Sequence, residues 1–125
     1  MKRIILAAIV TVGFAAIASA QMAPAMTGDS AKGKVLTDPK GMTLYTFDKD
    51  TAGKSACNGP CATNWPPLYV MDGESAGGAY SIVTRDDGKK QWAYKDKPLY
   101  YWVKDQKPGD KTGDGFNKVW RVAQP

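Results

Sequence analysis

The sequence contains no histidine, and this absence excludes several functional classes. Ser-His-Asp and Cys-His catalysis, haem attachment through Cys-x-x-Cys-His, and histidine-ligated zinc or copper sites all require an imidazole. Two cysteines alone cannot close a structural zinc site, which takes four ligands. The single glutamate, Glu74, lies in a Gly- and Ser-rich stretch typical of an exposed loop. We therefore expect no catalytic residues and no resident cofactor.

The sequence also lacks an apolar run long enough to span a bilayer. The apolar run over residues 4–17 has 14 positions, short of the roughly 20 that a membrane-spanning helix needs. It follows Met1-Lys2-Arg3 and precedes Ala18-Ser19-Ala20, the order found in a cleavable signal peptide. We predict a signal peptide over residues 1–20 rather than an uncleaved anchor.

A lipobox cysteine is missing as well, since no cysteine lies near the predicted cleavage site. We therefore expect a soluble periplasmic or secreted protein that has no transmembrane span after cleavage and no lipid anchor. Loss of Lys2 and Arg3 with the signal peptide lowers the formal net charge from +5 to +3. Because charges of both signs are interspersed, we expect no nucleic-acid partner. An unknown envelope protein or a small ligand is the expected partner.

Short runs of strand-forming residues, separated by Gly, Pro and Asp, make up most of the remaining chain. Residues 21–33 are small and polar and predict a flexible arm. The candidate strands that follow are 35–38, 42–48, 68–71, 80–84, 91–94, 99–103 and 119–123. An Asp-Gly turn within residues 86–89 predicts a hairpin. Since no window outside the signal peptide shows a helical period, we predict a small all-β domain over residues 34–125.

An internal repeat with an offset of 55 organises this domain. Residues 44–50 match residues 99–105, and the same offset maps Trp65 onto Trp120. The residues of the repeated motif are Tyr45, Phe47, Asp50 and Trp65 in the first copy and Tyr100, Trp102, Asp105 and Trp120 in the second. We place the copies at about 34–71 and 89–123, and expect two similar β units packed face to face.

The motif itself predicts a structural role. In a strand, Tyr45 and Phe47 point to one face while Leu44 and Thr46 point to the other. The aspartate of each copy follows its strand, where it can accept hydrogen bonds from local backbone amides and fix a turn. We therefore interpret the motif as core aromatic residues with a turn-capping aspartate, and keep a ligand site as the alternative.

Tyr45-x-Phe47-x-x-Asp50 and Tyr100-x-Trp102-x-x-Asp105 resemble the signature of a bacterial family of secreted repeats, predicted lipoproteins with a Tyr-x-[Phe/Trp/Tyr]-x-x-Asp motif. The segments 57–62, 65–68, 107–110, 112–115 and 119–120 add to the resemblance. It covers residues 34–123 and implies an exported protein built from paired repeats, without an assigned activity. Many members carry a lipobox cysteine, which this chain lacks.

Cys57 and Cys61 are the two cysteines of the chain. In an oxidising compartment such a pair is expected to form a disulfide, and the intervening Asn58-Gly59-Pro60 suits a tight turn. A loop this short contributes about 2 kcal/mol. The alternative is a redox-active or metal-handling pair. The spacing differs from Cys-x-x-Cys, and no helix is predicted to lower a thiol pKa.

Asp110-x-Thr112-x-Asp114-Gly115 resembles the first half of a calcium-binding loop, in which oxygen ligands alternate. The second half does not fit, because the twelfth position is Arg121 rather than a bidentate glutamate. A Gly/Asp turn before a strand is the simpler interpretation, with calcium as the alternative.

Taken together, the sequence predicts a non-enzymatic exported envelope protein that acts as a binding or structural module. Two alternatives stay open. One is a thiol–disulfide or metal-handling protein that uses Cys57 and Cys61, and the other is a calcium-dependent binding module.

Overall fold

A computed structural model describes residues 24–30 and 33–125 of the chain. Its fold is mostly β. The predicted signal peptide lies outside the described residues. The described strands are β1 (Met26–Ser30), β2 (Gly33–Thr37), β3 (Tyr45–Phe47), β4 (Tyr80–Thr84), β5 (Lys90–Tyr94), β6 (Lys97–Pro98) and β7 (Trp120–Val122). One short helix, α1 (Pro60–Asn64), and a 3₁₀ turn at Phe116–Lys118 complete the described elements.

The strands form three small antiparallel sheets, β1–β2, β3–β7 and β4–β5–β6. The predicted hairpin joins β4 to β5, where the Gly88 N–H donates to the Arg85 carbonyl (2.9 Å) and the Arg85 N–H donates to the Lys89 carbonyl (2.8 Å). Strands at 35–38, 80–84, 91–94 and 119–123 agree with the prediction to within two residues at either end. Segment 68–71 contacts β5 through a bridge between Tyr69 and Gln91 rather than as a regular strand.

The helix α1 was not predicted from the sequence. Five residues are too few to show an apolar helical period, so the local signal is Pro60 at the first helical position, where proline fits well. The Trp65 N–H donates to the Cys61 carbonyl (2.8 Å) at the end of the helix. The helix therefore connects the cysteine loop directly to a core tryptophan.

The interpretation of residues 21–33 as a flexible arm is wrong for residues 26–30, which form β1. This strand pairs with β2 along its whole length, from Met26 opposite Thr37 to Ser30 opposite Gly33. Its side chains are largely exposed, so its composition resembles that of an unstructured segment. The backbone hydrogen bonds to β2 stabilise the strand, and composition does not reveal them.

The two repeats interleave, and the expected face-to-face packing of separate units is wrong. Strand β3 of the first copy pairs with β7 of the second. Tyr45 and Tyr100, which are 55 positions apart, each donate a backbone N–H to the other's carbonyl, at 2.8 and 2.9 Å. An approximate twofold axis therefore passes between these two residues. The β3–β7 sheet therefore needs both copies, because β3 lies in the first repeat and its partner β7 lies in the second.

The predicted strand 99–103 is not a regular strand, since only Tyr100 bridges β3 there, but side chains alternate along it as they do along β3 and divide between two clusters. The aromatic core contains Val35, Tyr45, Cys57, Trp65, Tyr100, Trp102, Trp120 and Val122. The second core contains Ala25, Leu36, Leu44, Leu68, Trp92, Leu99 and Ala123. Tyr45 and Leu44 thus lie on opposite faces, as predicted, and so do Tyr100 and Leu99. Full burial of each such side chain contributes about 1.5–3 kcal/mol to the free energy of folding. Both clusters therefore stabilise this small domain.

Candidate functional site

Four rings stack in one column across the junction of the two repeats. This aromatic stack consists of Phe47, Trp120, Trp65 and Trp102, with successive ring centroids 4.2, 3.8 and 4.0 Å apart. Trp65 and Trp120 are equivalent under the 55-residue offset and lie almost parallel, at 2°. The approximate twofold axis therefore also passes between these rings. The stack ends at Phe47, which is partly exposed.

The hydroxyl of the tyrosine in each motif donates a hydrogen bond to the aspartate of the other motif. Tyr45 Oη lies 2.6 Å from Asp105 Oδ2, and Tyr100 Oη lies 2.6 Å from Asp50 Oδ2. The other oxygen of each aspartate accepts from local backbone, Ala56 N–H for Asp50 and Thr112 N–H for Asp105 (2.7 and 3.0 Å). The local amide bonds match the expected turn-capping role. The tyrosine bonds were not foreseen, because they depend on how the repeats meet.

These hydrogen bonds lie among buried side chains, and burial shifts the pKa values of the groups that form them. Burial, reinforced by the hydrogen bond to Asp105, raises the pKa of Tyr45 far above its usual value. Burial and the bond to Asp50 do the same to the pKa of Tyr100. Burial also raises the pKa of Asp50, against the lowering effect of its bond from Tyr100. The phenols therefore act as fixed donors at neutral pH rather than as exchangeable acids.

Gly113 is a packing residue that sequence reasoning missed. A Cβ atom at this position would lie 2.7 Å from Trp65 Cη2 and 3.0 Å from Trp102 Cδ1. The Gly113 N–H also donates to the Tyr45 hydroxyl (3.2 Å). The glycine lets backbone lie against the aromatic stack, and nothing in the local sequence separates it from the turn glycines nearby.

Arg85 is a second residue whose role the sequence did not reveal. Its side chain is buried, and Nη1 donates to Ser55 Oγ (2.9 Å) and to Gln91 Oε1 (2.8 Å). Nη2 donates to the carbonyl of Cys57 (2.6 Å), and Nε has no hydrogen-bond partner, with a carboxylate oxygen of Asp87 3.8 Å away. A charged residue beside an Asp-Gly turn looks solvated in a sequence, yet here it holds the cysteine loop.

The predicted disulfide between Cys57 and Cys61 is confirmed. Cys57 is fully buried in the aromatic core, whereas Cys61 is partly exposed on α1. Ser55 lies next to this loop, and its Oγ is 2.6 Å from Oη of Tyr100. The disulfide thus fixes the segment that supplies partners to Arg85 and Tyr100.

The residues of the candidate calcium loop use their oxygens within the protein. Asp110 accepts from Gln106 N–H (2.8 Å) and from the Lys107 ammonium (2.9 Å), and both contacts lower its pKa. Thr112 Oγ1 donates to Asp105 (2.6 Å), and Asp114 accepts from Val122 N–H (3.2 Å). Among residues 24–30 and 33–125, no three His, Cys, Asp or Glu side chains are placed to hold a metal ion.

A groove crosses the surface where the repeats meet. Two adjacent cavities of about 470 and 340 Å³ share Thr46, Lys95, Lys97 and Arg121 in their linings and together make up this groove. We call it the seam groove. Its walls come from β3 and β7, one strand from each repeat, and from the turn between β5 and β6. Phe47 lines the larger cavity, so the aromatic stack ends in this groove.

The cations of the seam groove differ in their partners. Arg121 holds Asp48 in a bidentate ion pair, with Nε 2.9 and 2.8 Å from the two carboxylate oxygens, which raises the pKa of Arg121. Lys95 and Lys97 have no carboxylate within 4 Å in the part of the chain that the structure describes. The Lys95 ammonium lies 5.3 Å from the centre of the Tyr94 ring. Two lysine charges therefore stay available at the groove.

The sequence pattern that defines one protein family matches the chain twice, over residues 26–69 and 81–124. That family, Lipoprotein_15, is described as a secreted repeat of unknown function. The two matches are again 55 positions apart, and each begins eight residues before the copy boundary expected from the sequence. Neither the curated proteins nor the solved structures gave a match. No helix in the described residues is long and apolar enough to cross a membrane.

Proposed function

The chain belongs to this family of secreted repeats of unknown function, and from that premise we propose that it is a non-enzymatic exported binding module whose ligand lies in the seam groove. The proposal includes a soluble mature protein without a lipid anchor. A small ligand or a partner segment of the envelope would contact both repeats at once, since the groove is built from both.

The groups that could perform acid–base or nucleophilic chemistry support a non-enzymatic role. Ser55 is 2% exposed and its oxygen already interacts with Arg85 and Tyr100. The hydroxyls of Tyr45 and Tyr100 donate to carboxylates in the protein interior. A catalytic acid or nucleophile must reach a bound substrate, and these groups contact one another instead.

One observation carries the binding proposal, namely that the seam groove combines a rigid floor with free polar groups. Strand β3 is fixed by the hydrogen bond from Tyr45 to Asp105 and by its pairing with β7, and each of the two strands contributes a ring to the aromatic stack. Thr46, Lys95 and Lys97 line both cavities of the groove. Small-molecule sites are typically preformed concave surfaces of this size, with a few polar groups that orient the ligand.

A nuclear magnetic resonance titration tests the proposal. The ¹⁵N-labelled mature chain is mixed with a fragment set of neutral and charged sugars, amino acids and short peptides, while the fragments are monitored for conversion. We expect saturable shifts centred on the amides of Thr46, Lys97 and Arg121, with every fragment recovered unchanged. Saturable shifts confined to another face, or turnover of a fragment that one substitution abolishes, would contradict the proposal.

The thiol–disulfide and calcium alternatives stay predictions, and each has a direct measurement. A reduction potential of the Cys57–Cys61 pair close to that of periplasmic thiol oxidoreductases would favour the first. A calcium-dependent rise in melting temperature would favour the second. Neither result is expected if the groove carries the function.

A further inference from the structure

Resting on the proposed binding function, we propose that the smaller half of the seam groove is a subsite for an oxyanion carried on a sugar ring. We call this half, the cavity of about 340 Å³, the cationic half. Its ligand class is an acidic monosaccharide unit, whose negative group is a carboxylate or a phosphate.

The two halves of the groove differ in charge. Lys95, Lys97 and Arg121 line both halves. The larger half also has three aspartates, Asp48, Asp50 and Asp96. No aspartate or glutamate side chain lines the cationic half. Because the same three cations line both halves, the aspartates make the larger half the less favourable one for an anion.

The lysine charges in the cationic half are not neutralised by the protein. Asp48 engages Arg121 at 2.8 Å, but Lys95 and Lys97 have no such partner among the described residues. A lysine ammonium binds carboxylate and phosphate oxygens as a strongly hydrated point charge with three donors. Two such ammonium groups in the lining of one cavity can both attract an oxyanion.

The turn that carries the lysines is held in a conformation that side chains rarely adopt. Lys95 and Asp96 have φ values of 50° and 69°, in a two-residue turn where Asn-Gly is the usual choice. Residues other than glycine rarely adopt such φ values, because Cβ then lies too close to the following carbonyl oxygen. The Lys95 N–H donates to the Ala79 carbonyl (2.8 Å), and the Asp96 carbonyl accepts from Gly53 N–H (3.0 Å). Both contacts fix the turn, so the lysine backbone is positioned before a ligand arrives.

The remaining lining of the cationic half suits a sugar ring. Tyr94 is partly exposed, and the Lys95 ammonium lies 5.3 Å from the centre of its ring, so the two side chains lie side by side in the lining. Thr46 and Gln124 are neutral groups that can donate to and accept from hydroxyls. A free inorganic anion would use the lysines alone, whereas an acidic sugar also uses the neutral groups through its hydroxyls.

Three sugars that share one ring test the inference, namely glucuronate, glucose 6-phosphate and glucose. Each is titrated into the ¹⁵N-labelled mature chain at low ionic strength. We expect at least one acidic sugar to bind ten-fold or more tightly than glucose, with shifts at Thr46, Lys97 and Arg121. Which of the two binds more tightly identifies the oxyanion as carboxylate or phosphate. Raising the salt concentration to 0.5 M should weaken binding, because the attraction is between exposed charges.

Variants separate the subsite from general surface charge. Lys97→Gln should weaken binding of the acidic sugar at least three-fold, and Lys104→Gln, at an exposed lysine outside the groove, should leave it unchanged. Unaltered melting temperatures would show that both variants fold. Equal binding of glucose and the acidic sugars in the groove would overturn the anion inference and leave the binding function standing. Absence of binding by all three sugars would also overturn it, and fragments of other classes would then test the binding function separately.

Discussion

At the scale of single residues, the motif works because each tyrosine meets the aspartate of the other copy. A hydrogen bond to a charged group is worth about 1.5–3 kcal/mol when its partner would otherwise be buried without one. The two aspartates accept these bonds from Tyr45 and Tyr100 and also cap their own turns. The motif residues therefore explain how the two repeats are joined.

Removal of one hydroxyl should expose this contribution. We expect Tyr45→Phe and Tyr100→Phe each to lower the free energy of unfolding by about 1.5–3 kcal/mol, since the first leaves the buried carboxylate of Asp105 and the second the partly buried carboxylate of Asp50 without its donor. Tyr94→Phe is the matched control, because its ring is partly exposed and no hydrogen bond of its hydroxyl appears in the described part of the chain. Urea unfolding followed by tryptophan fluorescence measures all three. Equal stability of the three variants would contradict the assigned role.

Alkaline pH should act on the same hydroxyls. The pKa values of Tyr45, Tyr100 and Tyr101 are raised in the folded state, chiefly by burial and then by hydrogen bonds to aspartates. The stabilising contribution of a raised pKa is complete below the unfolded value of about 10 and is lost as pH rises toward the folded value. Each such tyrosine should reduce the free energy of unfolding by about 1.4 kcal/mol per pH unit above 10.

Absorbance at 295 nm detects this effect. The three tyrosines should ionise together with unfolding, well above pH 10, and reversibly only if the chain refolds. Ionisation of all six tyrosines near pH 10 in a chain that stays folded would show that these hydroxyls are accessible to solvent.

Gly113 permits a close approach that no other residue allows. Gly113→Ala should destabilise the fold by about 2 kcal/mol or more, because the added Cβ would lie 2.7 Å from Trp65 and rings in a packed core cannot move freely. Gly77→Ala is the control, since Gly77 has an ordinary φ and nothing within 4 Å of its Cβ position. Thermal unfolding should separate the two variants clearly, and similar melting temperatures would contradict the packing role.

At the scale of elements, the segment from Ser55 through α1 is held by a disulfide, by hydrogen bonds from Arg85 and by one core tryptophan. The disulfide closes its loop, Arg85 donates to the Cys57 carbonyl (2.6 Å), and Trp65 follows α1 into the core. Because the helix has only five residues, it is too short to be stable alone. Its stability comes from the bonds at its two ends.

Loss of the disulfide should therefore loosen this segment without unfolding the domain. We expect the double substitution Cys57→Ser with Cys61→Ser to cost about 2 kcal/mol, the chain-entropy value for so short a loop. Amide hydrogen exchange should quicken between residues 55 and 65 while β4 and β5 stay protected. Faster exchange throughout the protein would instead make the disulfide essential to the whole fold.

Elements with a local signal were predictable from the sequence, and the others were not. Strands β4 and β5 follow from two short runs of strand-forming residues joined by an Asp-Gly turn. Strand β1 was missed because its stability comes from backbone pairing with β2, and α1 because five residues show no period. The buried position of Arg85 depends on partners about 30 positions away in sequence, which no local pattern encodes.

At the scale of the whole molecule, the repeat was visible in the sequence but its use was not. An offset of 55 identifies equivalent residues, and it cannot say whether the copies stack as units or interleave. Tyr45 and Tyr100 pair through their backbones, so the approximate twofold axis runs through the motif itself. The seam groove exists because of this arrangement, and for that reason sequence reasoning did not find Lys95, Lys97 or Arg121 as site residues.

Interleaving predicts that the halves do not fold separately. A chain of residues 21–72 would keep Tyr45 and Trp65 but lose β7, the partner of β3. We expect it to show no cooperative thermal transition and an exposed tryptophan emission spectrum, whereas the chain of residues 21–125 unfolds in one step. A cooperative transition in the isolated first half would show that each repeat is a unit of its own.

The tyrosine of each motif donates to the aspartate of the other, and this exchange joins the two repeats into the one body that carries the seam groove. A double-mutant cycle tests it most directly, with Tyr45→Phe combined in turn with Asp105→Asn and with Asp50→Asn, and with stability measured by urea unfolding. We expect a coupling energy of about 1 kcal/mol or more between Tyr45 and Asp105, and additivity between Tyr45 and Asp50 of its own motif. Coupling between Tyr45 and Asp50 with additivity toward Asp105 would contradict it.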